Sequence, residues 1–130
     1  MASQGAAPLS SQRFGKDRRV RRRGEFQRVF DSGFRVSSRY FTLIFSPNAG
    51  TTDRLGIVAS RKIGDAVHRN RAKRLIREMF RRADRGPGAA VDIVVIPRRE
   101  LFDVSTSDLD RDFRAAWRRG HARFHAVHGR

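Results

Sequence analysis

Ala66-Val67-His68-Arg69-Asn70-Arg71-Ala72-Lys73-Arg74-Leu75-Ile76-Arg77-Glu78-Met79-Phe80-Arg81 places apolar residues on one side of a helix and guanidinium groups on the other. At about 100° per residue, Ala72, Leu75, Ile76, Met79, Phe80 and Ala83 form one stripe, and Asn70, Arg74, Arg77, Arg81 and Arg85 lie roughly opposite. Asp65 is positioned as N-cap after a turn at Ile63-Gly64, and Gly86-Pro87-Gly88 ends the helix. Residues 55–60 before it and the apolar residues 91–96 after it, closed by Pro97, read as strands. Strand, helix, strand is a βαβ unit, and it sets the frame for the rest.

Upstream, residues 24–32 carry Phe26, Val29 and Phe30 at helical spacing and stop at Gly33, an expected left-handed C′ residue. Residues 39–46 alternate Tyr40, Thr42 and Ile44 against Phe41, Leu43 and Phe45, the pattern of a strand, with a loop over 48–53. Downstream, a helix starting near Ser105 or Ser107 carries Leu109, Phe113, Ala116, Trp117 and Phe124, then frays into a tail bearing histidines. Phe41, Leu43, Phe45, Ile57, Val94, Phe113 and Trp117 are the expected core. The fold class is α+β, an α/β sandwich: a small mixed sheet with a βαβ crossover and packed helices. Three segments are expected: a disordered tail over 1–12, a domain over 13–120 and a basic, His-containing tail over 121–130.

The chain carries 29 Lys and Arg against 13 Asp and Glu, a formal charge of +16, and lysine occurs only at Lys16, Lys62 and Lys73. Such an excess points to a polyanionic partner, and Arg suits bidentate phosphate contacts. A genome rich in G and C would favour Arg codons as well. Seven basic residues and one acid, Asp17, make residues 13–23 a basic arm. Cysteine is absent, which excludes disulfides and thiolate metal sites. No apolar run is long enough to span a bilayer and the N-terminus lacks a secretory pattern, so no membrane association and a cytoplasmic location are expected.

Ser60-Arg61-Lys62-Ile63-Gly64 followed by residues 66–78 closely resembles the signature of the protein component of bacterial ribonuclease P. Glu25-Phe26-Gln27-Arg28-Val29-Phe30, Gly33, Asp92-Ile93-Val94-Val95-Ile96 and the 109–117 helix follow in that family's order, so the resemblance covers about residues 15–120. It implies a ribosomal-protein-like domain with a left-handed crossover. It also implies a cofactor subunit of a ribonucleoprotein whose RNA, holding most of the Mg²⁺, removes the 5′ leader of precursor tRNA. The partners expected are ribonuclease P RNA and precursor tRNA, with no obligate protein partner.

Two surfaces are expected to carry this role. Arg69, Asn70, Arg71, Lys73, Arg74 and Arg77, with Arg61 and Lys62, would contact the catalytic RNA. Eight basic residues on the long helix meet only Glu78 and Asp84, too few acids for i, i+4 neutralisation. Phe26 and Phe30, with Thr42, Ile44, Ser60, Arg22 and Arg23, would form a cleft for the single-stranded leader, with Thr42 and Ile44 on the Tyr40 side. Ordinary core packing is the alternative for the two phenylalanines. No protein-borne catalytic set or metal site stands out: Asp103, Asp108, Asp110 and Asp112 suit the start of the last helix, and His121, His125 and His128 fall in its expected tail. The rival functions are a general RNA-binding module and a protein-only nuclease using those histidines. A duplex-DNA binder has less support, since no helix-turn-helix spacing appears.

Overall fold

The computed structural model describes residues 19–20, 23–48, 52–83 and 90–128. In chain order these form α1 (Arg23–Ser32), β1 (Phe34–Ser37), β2 (Phe41–Pro47), β3 (Arg54–Ile57), α2 (Ala66–Arg82), β4 (Val91–Pro97) and α3 (Thr106–His128). Short 3₁₀ turns span Arg61–Ile63 and Arg99–Asp103. The sheet order is β1-β2-β4-β3. β1 and β4 run antiparallel to β2, whereas β3 lies parallel to β4 and is joined to it through α2, so the expected mixed sheet and βαβ crossover are both present.

Helices cover both faces of the sheet. Phe41, Leu43 and Phe45 of β2 and Ile93 and Val95 of β4 face α2 and α3, whose Ala72, Ile76, Phe80, Phe113 and Trp117 complete the larger core. The opposite face is a smaller cluster of Val29, Ile44 and Val94, edged by Phe26, Phe30, Val58 and Ile96. Alternation in β2 therefore separates two apolar faces rather than an inside from an outside. Ile44, expected in the leader cleft, is instead buried beneath α1 at 1% exposure. Tyr40 is not on its side either: it precedes the ladder, packs against the larger core, and its N–H donates to Asp112 at 3.1 Å.

Other departures have local causes. Gly33 has no positive φ; a Cβ there would lie 2.5 Å from the Val29 carbonyl and 2.7 Å from Ile44, so close approach requires the glycine. β1 and the second 3₁₀ turn escape the sequence reading because each is too short to establish a period. α3 does not fray at residue 120: it continues to His128, with Phe124 fully buried and His121 9% exposed against Trp117, ring centroids 4.5 Å apart. Gly120 makes that crossing possible, since a Cβ there would stand 2.0 Å from the Phe45 ring. Nor do the aspartates near the start of α3 act only through the helix dipole. Asp112 accepts from Ser38 Oγ at 2.7 Å and pins the β1–β2 turn, and Asp110 pairs with Arg114 at 3.0 Å.

Candidate nucleic-acid interface

α2 is held by both ends. Asp65 caps it by accepting from the His68 N–H at 3.0 Å, and Ala83 ends it. That backbone bond, reinforced by the His68 ring, holds the Asp65 carboxyl below its ordinary range. With Ala72, Ile76, Met79 and Phe80 locked into the core, the opposite side is fixed outward: Asn70, Arg71, Arg74 and Arg77 are exposed. One expected RNA contact, Arg69, has a structural partner as well, and so does Glu78, which lies outside that set. Arg69 is half-buried and donates to the Gly64 carbonyl at 3.0 Å, and Glu78 pairs with Arg81 and, at 3.8 Å, with Arg82. Arg61 and Lys62 are exposed on the preceding 3₁₀ turn; Ser60 accepts from the Lys62 N–H at 3.3 Å and so caps that turn.

α1 is fastened by a half-buried ion cluster built on the buried Asp92. Arg54 on β3 holds Asp92 on β4 through two bonds of 2.8 Å and reaches Glu25 in the first turn of α1 at 3.0 Å. Asp92, 1% exposed, also accepts from Asn48 at 2.9 Å. The Asp92 bond, followed by that to Glu25, raises the Arg54 pKa further despite burial, so the guanidinium stays charged. Thus anchored, α1 covers the rungs through Ile44, Val94 and Gly56. It leaves Ser37 of β1, Thr42 of β2, Ile96 of β4 and Val58, the residue that follows β3, accessible as one row across the sheet.

Phe30 and Ile96 are both half-buried against the small cluster, and Phe26 is half-buried at its β3 side. The Phe26 ring lies over the bare backbone of Gly56, where a Cβ would approach it to 2.8 Å. A cavity of about 240 Å³ around the β3 edge is lined by Arg19, Val20, Phe26, Gly56, Lys73 and Arg77. Although Arg77 is exposed, the partial desolvation of its guanidinium at this cavity first, then the neighbouring Arg19 charge, lowers its pKa. Phe26 therefore joins the α2 surface to the sheet face, two regions that sequence reasoning keeps apart. Arg98 joins the site without being expected from the sequence: its backbone N–H donates to the Tyr40 carbonyl at 2.9 Å and its guanidinium to Thr42 Oγ1 at 3.0 Å, setting a cation on the open row. The Pro97-Arg98-Arg99 run after an apolar strand was the available signal. Arg23 is exposed at the start of α1. Arg22, Arg85 and the side chains of His125 and His128 lie outside the described residues.

The arrangement is an α/β sandwich with a cationic helix next to a half-open sheet face edged by aromatic rings, a surface whose chemistry suits a polyanion. The family model for ribonuclease P matches residues 14–121. The ribonuclease P protein component of Desulfatibacillum aliphaticivorans is 41% identical over 91 residues, covering 70% of this chain and 77% of the relative. The solved ribonuclease P protein of Thermotoga maritima superposes with a TM-score of 0.64 at 36% identity, over 73% of this chain and 90% of that one. A mutant Staphylococcus aureus ribonuclease P protein, described as defective in mRNA degradation activity, superposes at 0.73 with 32% identity, over 85% and 92% of the two chains. This chain belongs to the ribonuclease P protein family.

Proposed function

We propose that the chain is the protein subunit of a cytoplasmic ribonuclease P, assisting Mg²⁺-dependent removal of the 5′ leader from precursor tRNA by a catalytic RNA. The exposed side of α2, with Arg61 and Lys62, holds that RNA. The open row of the sheet, bordered by Phe30 and Arg98, receives the unpaired leader. The observation that carries this reading is the junction at Phe26, where an aromatic edge of the sheet face shares a cavity with Lys73 and Arg77 of α2. Stacking on rings with phosphates on guanidinium groups is the usual recognition of a single strand.

Bond cleavage and most Mg²⁺ are assigned to the RNA. Mg²⁺ prefers carboxylate and water ligands, and no group of three or more His, Asp or Glu among the described residues converges to hold a metal. Asp92, Asp112, Asp65 and Glu78 are each engaged with guanidinium, hydroxyl or N–H partners. The chain's own effect on Mg²⁺ is indirect: its cationic surface lowers the repulsion between two RNAs.

The mRNA degradation activity in which the S. aureus mutant is defective favours a second reading, an RNA-degrading activity of the protein by itself. Assembly and cleavage assays separate the two. The cofactor reading expects selective binding of ribonuclease P RNA over unrelated structured RNA and no cleavage by the protein alone. Equal binding to all structured RNAs supports a general RNA-binding module. Cleavage in the protein-alone lane, lost on replacing His121 and His125, supports the nuclease.

A further inference from the structure

The open row has two ends with different surroundings. Val58 stands at the β3 end, followed within four residues by Arg61 and Lys62. Ser37 stands at the other, on β1, an edge strand with no neighbour beyond it among the described residues. Four strands make the row about 14 Å long, three inter-strand spacings, so a single strand longer than a few nucleotides must run off it. At the Ser37 end, Arg35 is exposed and shares a face with Ser37 and Thr42. From α3, Arg119 donates to the Ser37 carbonyl at 3.2 Å. One helical turn on, the Arg123 guanidinium lies 4.4 Å from the Phe34 ring centroid, and that ring is stacked on buried Phe45 at 5.6 Å.

Two of these guanidinium groups are thus held in place, one by a backbone carbonyl and one by a ring anchored in the core, each with further N–H donors directed elsewhere. Among the described residues none of the three forms a salt bridge, in contrast to Arg54, Arg82, Arg111 and Arg114. We infer that the β1 edge, through Arg35, Arg119 and Arg123, is the exit of the open face and binds backbone phosphates of the single-stranded leader distal to the cleavage site. The inference rests on the leader-binding role proposed for the sheet face. With catalytic RNA on α2, the proximal nucleotides occupy the Val58 end and the distal ones pass over Ser37. The phosphate contacts carry no base preference, so what this site reads is leader length.

The test is substrate affinity of the reconstituted holoenzyme for precursor tRNAs whose leaders are absent, confined to the row, or long enough to pass β1. The triple variant Arg35→Gln, Arg119→Gln, Arg123→Gln is expected to weaken the long-leader substrate on the order of tenfold. It is also expected to flatten the salt dependence by about two in logarithmic slope, near 0.7 per single-strand phosphate contact. Leaderless and short-leader affinities should not follow. Equal loss for all substrates, or no loss, overturns the exit. So does self-association with unchanged leader dependence, because that is the signature of residues that merely guard a strand edge.

If the unaltered holoenzyme does not distinguish leaders from none, the face reading itself fails and the exit with it. If it does and the triple variant matches it, the exit alone fails. A second measurement does not depend on the stability of the triple variant. The chain has no cysteine, so Ala122→Cys and Lys62→Cys give unique attachment points for a photocrosslinker. The Ala122 probe is expected to reach nucleotides farther from the cleavage site than the Lys62 probe, and the reverse order contradicts the path.

Discussion

At the residue scale, neighbouring positions on β2 do different work. Ile44 is floor: Ile44→Ala should cost about 2–5 kcal/mol in urea unfolding, because the cavity would lie between α1 and the sheet. Thr42→Val removes the hydroxyl that holds Arg98, and it should leave the unfolding midpoint nearly unchanged while reducing discrimination between leader-bearing and leaderless substrates. A lowered midpoint with intact discrimination would return Thr42 to the core. Glycines give an equally sharp contrast. Gly120→Ala drives a methyl into the Phe45 ring and should destabilise by about 1–3 kcal/mol, whereas a Cβ at Gly24 meets nothing within 4 Å and should be neutral or slightly stabilising.

At the element scale, α1 depends on charges that its own sequence does not display. Asp92→Ala leaves the half-buried Arg54 without its main partner and should cost about 1–3 kcal/mol, with loss of protection in α1 amides on hydrogen exchange. α2 depends on its cap. Because Asp65 has a lowered pKa, its contribution is present at neutral pH and is lost as pH falls through that value, below the ordinary carboxylate range. Asp65→Asn should therefore keep the cap and remove this part of the acid sensitivity. The long elements were legible because α2 and the start of α3 repeat their apolar positions over several turns and carry recognisable caps. Four-residue β1 gave no period, and the end of α3 was misjudged because Gly120 and His121 resemble a terminus, whereas the ring of Phe45 requires one and packs against the other. The α2 cations were readable from spacing; Arg98 was not, because its place on the row depends on β2–β4 pairing across distant sequence.

At the scale of the whole molecule, the cationic side of α2 is separable from the core that supports it. Replacing Arg69, Asn70 and Arg71 together by Ala should weaken assembly with ribonuclease P RNA and reduce its salt dependence. The stability cost should be only about 1 kcal/mol, from the Arg69 bond to Gly64. Loss of the folded state would show instead that these residues are structural. On the proposed function a chain of net charge +16 works between two polyanions, which makes its benefit electrostatic and requires that benefit to fade as other cations take over the screening. The direct measurement is cleavage of a 5′-extended precursor tRNA by a bacterial ribonuclease P RNA, with and without this chain, across a Mg²⁺ titration. The account predicts strong stimulation at low Mg²⁺ that shrinks as Mg²⁺ rises. Equal stimulation throughout the titration, or none at any concentration despite tight RNA binding, would contradict it.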